Sequence, residues 1–553
     1  MIVAKIEPSL ARIQFGRLIP MRDGVRLSAD LYLPRGEGPH PAIVLRTPYV
    51  KAGSRYTERA MRWAKDGYAF VLVDVRGRGD SEGDFLPYRR DADDGYDVIE
   101  WVAAQPWCTG AVATTGASYS GRIQWITALT RPPHLKAMIP MVAPSDTFVE
   151  FPTGVPSPMD ICWYHMTSGR TMQDTDPVDW LEVYRHLPLA TMDEALGRDI
   201  PRWREVVSHQ TLDDYWQVLS YQHRFAEIDL PVLHISGWYD DEQIGTPLNF
   251  KGMVEHGASR FARENQHLLM GPWGHQVNGG TRLGEVEFGQ DALIDLHALE
   301  RQFLDRHLKG LDVPKLPPVR IFLMGENRWR DAATWPPQGS RQVPCYLHSG
   351  GMAQSRFGDG RLDPAAPGDE PVDRFTYDPR RPVPFLTDPT SSQIGGPDDY
   401  SAVERRDDVL CYTSDPATEP IDLIGPISLV LHASTSALDT DFTAKLLDVW
   451  PSGFCQRLTD TIVRLRYRDG FDAARTVTPG EVYELTIDLW NTCLRLQPGH
   501  RLRLEISSSA FPKFPLNLNT GEDLATGTDM AVAEQQVFHD RMRPSRLLLP
   551  IVR

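Results

Sequence analysis

The stretch that most constrains this chain is Thr114-Thr115-Gly116-Ala117-Ser118-Tyr119-Ser120-Gly121. An apolar run, Ala111 to Ala113, leads into it, and a helical pattern from about Gly121 to Leu129 leads out. Strand, tight turn, serine, helix is the layout of a nucleophile elbow. A serine at the tip of so sharp a turn sits in strained backbone, so its neighbours must be small where strand and helix nearly touch. Gly116, Ser120 and Gly121 meet that demand; the second glycine of the usual G-x-S-x-G is displaced to Gly121, and Ser120 takes its place. The N–H of Tyr119 then faces the space above Ser118 at a helix N-terminus, where it can stabilise an oxyanion. Gly-Ala-Ser also occurs in ordinary strand-to-helix turns, so the reading needs partners elsewhere in the chain.

Strands and helices alternate around the elbow. Asp23-Gly24 between two alternating runs predicts a β-hairpin over residues 14 to 33. Buried parallel-type strands are expected at Pro41 to Arg46 and Ala69 to Asp74, and the helix Asp91 to Ala104 carries acidic residues near its N-terminus. The loop Val75 to Gly83 lacks the spacing of a nucleotide fingerprint, and Asp74 and Arg76 read as braces for neighbouring loops. From about Ser145 to Phe225 the alternation stops in text rich in Trp, Tyr, Met and Pro, then resumes at Leu230. After Pro336-Pro337 come many short strands and no convincing helix, with a long Pro/Gly/Asp-rich loop from 365 to 400. The expected organisation is an α/β-hydrolase unit in two parts, 1–144 and 226–338, with a helical cap at 145–225. A C-terminal jelly-roll β-sandwich follows at 339–553. At 553 residues the chain is too long for one core, which agrees with several domains.

Three polar residues stand at the ends of three apparent parallel strands: Ser118, Asp240 and His275. Open α/β sheets place their sites at that edge, and Ser…Asp…His is the chain order of α/β-hydrolases. A serine hydroxyl is a weak nucleophile at neutral pH. His275 can take its proton, and Asp240 can hold the imidazole tautomer and stabilise the imidazolium. Asp241 is the rival to Asp240, separated from it only by register.

These residues make the chain resemble the bacterial cocaine esterase and X-Pro dipeptidyl-peptidase family of serine hydrolases over nearly its whole length. The resemblance rests on Arg46-Thr47-Pro48-Tyr49, Asp74-Val75-Arg76-Gly77, Gln105-Pro106-Trp107, the elbow, Gly237-Trp238-Tyr239-Asp240 and Gly271-Pro272-Trp273-Gly274-His275. Asp439-Thr440-Asp441-Phe442 and Leu458-Thr459-Asp460 look like the family's jelly roll. The resemblance implies Ser118 as nucleophile with Asp240 and His275, and the phenol of Tyr49 as an oxyanion donor beside the N–H of Tyr119. It leaves the acyl group open among esters, amides, α-amino acid esters and X-Pro dipeptides. Dipeptidases of this sort must bind a free α-ammonium group, usually with carboxylates; Asp160, Asp174 and Asp176 in the cap are candidates, against the reading of a solvated acidic face. Trp163, Trp216 and Trp238 are candidate walls of an aromatic pocket, against the alternative of core packing.

Other functions are disfavoured. A net charge of −16 repels nucleic acid and anionic membrane. No run approaches the ~18 apolar residues of a membrane span, and Met1 to Pro8 has no signal-sequence pattern. Six scattered cysteines without C-x-x-C spacing read as reduced thiols of a cytoplasmic protein. Without an H-E-x-x-H no metal is expected, and the expected chemistry calls for no cofactor. The expected partner is a small ester, amide or short peptide, and the oligomeric state is left open, a homodimer among the options. The reading of a different class is a carbohydrate-binding jelly-roll protein with an idle hydrolase unit.

Overall fold

The computed structural model describes residues 11–388 and 395–552, the Arg55 side chain excepted. The N-terminal stretch Met1 to Pro8 lies outside the described residues. Asp23-Gly24 turns a hairpin between β1 (Ala11–Pro20) and β2 (Arg26–Pro34), with Gly24 at φ 88°. Then follow β3 (His40–Thr47), α1 (Ser54–Lys65), β4 (Ala69–Asp74), α2 (Asp91–Ala103), β5 (Cys108–Ala117), α3 (Tyr119–Ala128) and β6 (Leu135–Met141). After an interruption come β7 (Val232–Gly237) and β8 (Gln266–Gly271), then strands Val319–Leu323 and Arg328–Ala332.

These strands form one ten-stranded sheet in the order β1-β2-β4-β3-β5-β6-β7-β8, followed by the last two. From β4 to Val319–Leu323 neighbouring strands run parallel, and antiparallel pairs close both edges. The parallel strands are buried on both sides, which explains their continuous apolar runs. The order reverses between β3 and β5, because the chain steps from β3 outward to β4 and then back across to β5. A crevice opens at the carboxyl ends of such a pair. Tyr49 follows β3 and Ser118 follows β5.

The interruption between β6 and β7 holds only short helices, from Thr147–Glu150 to Phe225–Glu227. They surround their own core of Trp180, Trp203, Met192 and Ile161. After residue 339 an eleven-stranded sheet follows, from Ser340–His348 to Arg546–Val552. The chain here matches jelly-roll expectation but departs in one place. The 365–400 segment is not all loop, since Asp373–Tyr377 is a strand paired with Ala533–Phe538. Its Phe375 and Tyr377 are buried, and the flanking Pro and Asp residues mask that short alternation in the sequence.

The two sheets share a core in which Trp238, Tyr239 and Phe250 pack with Leu423, Leu446 and Leu504. Asp441 binds Arg464 through two 2.8 Å hydrogen bonds, and Arg464 Nη1 donates to the Thr153 carbonyl of the insertion at 3.2 Å. The six cysteines form no disulfide among the described residues. Among the described residues no helix is long and apolar enough to cross a membrane.

The turns after β7 and β8 touch through glycines. A Cβ at Gly237 would fall 2.1 Å from the Trp273 carbonyl oxygen, and one at Gly271 would fall 2.3 Å from the Trp273 indole. Tyr239 N–H donates to that same Trp273 oxygen at 3.0 Å, so the backbone cannot retreat without breaking the contact. Gly237→Ala should therefore lower unfolding free energy by about 1–3 kcal/mol. Gly368→Ala, where no atom lies within 4 Å of the added carbon, is the control. Equal thermal midpoints for the two variants would contradict this account.

Candidate active site

Ser118 occupies the turn between β5 and α3 at φ 61°, ψ −129°. Positive φ in a residue with a side chain costs about 1–3 kcal/mol and persists only where the surroundings enforce it. Here the Ser118 N–H donates to the carbonyls of Met141 and Val142, both at 3.0 Å. Side chains are excluded on either side: a Cβ at Gly116 would sit 2.5 Å from Ser120 Cβ, and one at Gly121 would sit 2.8 Å from the Met141 carbonyl. α3 begins at Tyr119, so its first N–H groups lack intrahelical acceptors and carry the positive end of the helix dipole. The Tyr119 side chain points elsewhere, donating to Asp91 and stacking on Tyr88.

The Tyr49 hydroxyl lies 3.3 Å from Ser118 Oγ. Trp163 Nε1 donates to the same phenol oxygen at 3.2 Å. An indole N–H is a donor only, so the single phenolic proton is available toward Ser118. Burial raises the Tyr49 pKa and keeps that proton in place, while the hydrogen bonds to Ser118 and Trp163 and the nearby His275 act in the opposite sense.

His275 Nδ1 faces Asp240 Oδ1 at 2.8 Å. The other Asp240 oxygen accepts from Ser236 Oγ at 2.7 Å, and this side chain is wholly enclosed. Asp241 Oδ1 lies 3.1 Å from the same ring nitrogen. Register thus does not separate the two aspartates as alternatives; both reach His275. Burial works against the imidazolium, but Asp241 and Asp240 outweigh it and hold His275 well above the ordinary range. Burial likewise opposes the Asp241 carboxylate, yet the His275 charge holds it below the usual value.

A cavity of about 190 Å³ opens at Ser118. Trp163 and Trp216 line it. Trp238 does not and is corrected here: it is a core residue, donating to the Phe322 carbonyl at 2.8 Å and packing 5.6 Å from Trp335. Trp490, on the strand Tyr483–Leu496, and Lys513 and Phe514, on the loop after the strand Arg501–Ser507, also line the cavity.

Five carboxylates line this cavity: Glu150, Asp160, Glu205, Asp241 and Glu242, of which Glu205 is paired with Arg202. Burial pushes Glu150 up to about 7 and Asp160 up to about 8, and raises Glu242 well above its ordinary value. Asp160 Oδ2 and Glu242 Oε2 have no hydrogen-bond partner among the described residues. Asp174 and Asp176 are exposed and stand away from the cavity wall. Sequence reasoning missed Glu150 and Glu242; Glu242, two residues after Asp240, carried the only local signal. Asp240, Asp241 and His275 also bring ligand-type atoms within 4.8 Å of one another. Their mutual hydrogen bonding accounts for that cluster.

Residues 23–277 match the family model of X-Pro dipeptidyl-peptidase (S15 family), and residues 312–548 match that of the X-Pro dipeptidyl-peptidase C-terminal non-catalytic domain. A cocaine esterase of Rhodococcus sp. (strain MB1 Bresler) is 36% identical, with 97% of this chain and 98% of the relative covered. A putative serine esterase of Mycobacterium bovis is 28% identical over 97% and 94%. Among solved structures, an α-amino acid ester hydrolase superposes with a TM-score of 0.87 at 26% identity, covering 100% of this chain and 99% of its own. An aminopeptidase from a marine sediment Thaumarchaeota archaeon superposes with 0.86 at 25% identity, covering 98% and 96%.

Two measurements follow from the geometry. Below its raised pKa the His275 ring is an imidazolium and cannot take a proton, so kcat/KM on a neutral ester should rise with pH. The midpoint should lie above the ordinary imidazole value of 6.5. A profile already flat in that range would refute the electrostatic account. Tyr49→Phe should cost about 2.7–4 kcal/mol of transition-state stabilisation, read from kcat; a change below twofold would exclude the phenol as an oxyanion donor.

Proposed function

This chain belongs to the cocaine esterase and X-Pro dipeptidyl-peptidase (S15) family of serine hydrolases, and we propose that it cleaves small acyl esters or amides through an acyl-enzyme on Ser118. The observation that carries this reading is the strained Ser118 turn with the Tyr49 phenol 3.3 Å away and the His275–Asp240 pair at 2.8 Å.

In this mechanism His275 Nε2 takes the Ser118 proton as Oγ bonds to the substrate carbonyl carbon. The carbonyl π pair moves to oxygen, where the Tyr49 O–H and the Tyr119 N–H receive the charge. Asp240 holds the Nδ1–H tautomer and stabilises the imidazolium. As the intermediate collapses, the carbon–leaving-group bond breaks and the leaving group takes the proton from Nε2. Water then repeats the sequence on the acyl-enzyme: it gives a proton to His275, attacks the acyl carbon and releases the acid, and Ser118 recovers its proton. This reading displaces that of an idle hydrolase unit beside a carbohydrate-binding jelly roll.

A second reading narrows the acyl group. Carboxylates left without partners in a cavity are unfavourable unless a cation compensates them. Asp160 and Glu242 are so placed that an α-ammonium group would serve, and Glu150, whose Oε1 accepts from Ser145, lines the same wall. The names of two structural relatives, an α-amino acid ester hydrolase and an aminopeptidase, point to the same substrate class.

Ser118→Ala should lower kcat by ~10⁶, and a phosphonate directed at serine should label Ser118 alone. Activity that survives the substitution would remove the proposal. Comparing kcat/KM for nitrophenyl acetate, nitrophenyl butyrate, a benzoyl ester, an amino-acid ester and a Gly-Pro anilide separates the two readings. Preference for the last two supports the ammonium reading.

A further inference from the structure

Two carboxylates reach one nitrogen at His275, and they are not equivalent. Asp240 is enclosed, and its second oxygen is tied to Ser236 Oγ at 2.7 Å, so it cannot turn toward a ligand. Asp241 stands 3.1 Å from the same Nδ1, is 18% exposed, and forms part of the wall of the Ser118 cavity. A single Nδ1–H needs one carboxylate for its orientation. The charge of the second is therefore surplus to that task, and it faces the space a substrate enters.

We propose that Asp241 is a positioning residue that divides its charge between the His275 ring and a cationic group of the substrate, so that a cation seated in the cavity frees the ring to take the Ser118 proton. This deepens the reading of Ser118 and His275 as nucleophile and base, and rests on it. Asp241 exchanges no proton in the step: the proton moves from Ser118 Oγ to His275 Nε2 as before. What changes is how strongly the imidazolium is favoured before substrate arrives.

The charged surroundings suit this role. Asp240 and Glu242 flank Asp241 on its own turn, and Glu150 and Asp160 face it from the helical insertion. From the loop after the strand Arg501–Ser507, Lys513 approaches, but it is paired to Asp460 at 2.7 Å. Arg122 on α3 lines the same cavity with its guanidinium 4.7 Å from the Tyr88 ring centre. The Tyr49 phenol also faces His275 and keeps its proton. Among the described residues Asp241 is the cavity carboxylate seen in contact with the ring, at 3.1 Å, so a cation seated against Asp241 is held beside His275 and loses that seat when the charge is removed. A cation beside the Asp241–His275 pair disfavours the imidazolium, so the ring loses its proton at lower pH.

The test uses two isosteres of pH-independent charge, the phenyl esters of trimethylammonioacetate and of 3,3-dimethylbutanoate. Single-turnover acylation of saturated enzyme is followed against pH. In the wild type the acidic limb for the cationic ester should lie about 1–3 pH units below that for the neutral ester. In Asp241→Asn, which keeps shape and removes charge, both limbs should fall and the gap between them should close. A gap that persists in Asp241→Asn, limbs that do not move, or failure of the cationic ester to acylate the wild type would each overturn the proposal. Phosphonate labelling of Ser118 in Asp241→Asn verifies an intact site. Turnover that persists in Ser118→Ala would instead sink the underlying reading of the nucleophile.

Discussion

The close approach of backbone segments at the carboxyl edge of the central sheet is the constraint on which the rest of this structure depends. At Ser118 the strand turns into a helix within one residue, and Gly116 and Gly121 leave room for it. Two strands away, Gly237 lets the turn carrying Asp240 rest against the turn carrying His275. These contacts are with backbone and Cβ atoms, whose positions the backbone fixes, and cannot be relieved by a side-chain rotation. They convert sequence-distant residues into a fixed arrangement before any substrate is present, which is the preorganisation that electrostatic catalysis needs.

The second feature is an imbalance of charge. Buried charges are ordinarily paired, and much of this chain obeys that rule, as at Arg464–Asp441 and Lys513–Asp460. The cavity departs from it. Glu150, Asp160 and Glu242 gather there under burial that drives all three toward their neutral forms. Strongly displaced carboxylates that converge on one cleft mark a functional region more often than a structural one.

The C-terminal sheet is part of the same machinery. Its core is continuous with that of the hydrolase sheet through Trp238; it contributes Trp490 to the cavity, and the loop after its strand Arg501–Ser507 contributes Lys513 and Phe514. Gln456 Nε2 donates to the Tyr239 hydroxyl at 2.9 Å, beside the turn that carries Asp240. The name of the matched C-terminal model, a non-catalytic domain, is compatible with this: the sheet shapes the cleft without supplying a reacting atom.

Much of this was legible in the sequence, and for a physical reason. Elbow, hairpin and buried strands obey local rules, since glycine is required where backbones nearly touch and apolar runs are required where both faces are covered. Ser118, Asp240 and His275 could be named because each sits beside such a locally dictated turn. The strand Asp373–Tyr377 was hidden by its flanks. Trp238 was misplaced because a tryptophan beside a motif reads the same whether it points to a core or a cleft. The amino-acid order alone settles which turns must be sharp and which strands must be buried. Only folding in three dimensions decides that Glu150, Asp160 and Glu242, drawn from three separate segments, share one cavity, and that Asp241 as well as Asp240 reaches the His275 ring, because proximity across a sheet edge leaves no trace in sequence spacing.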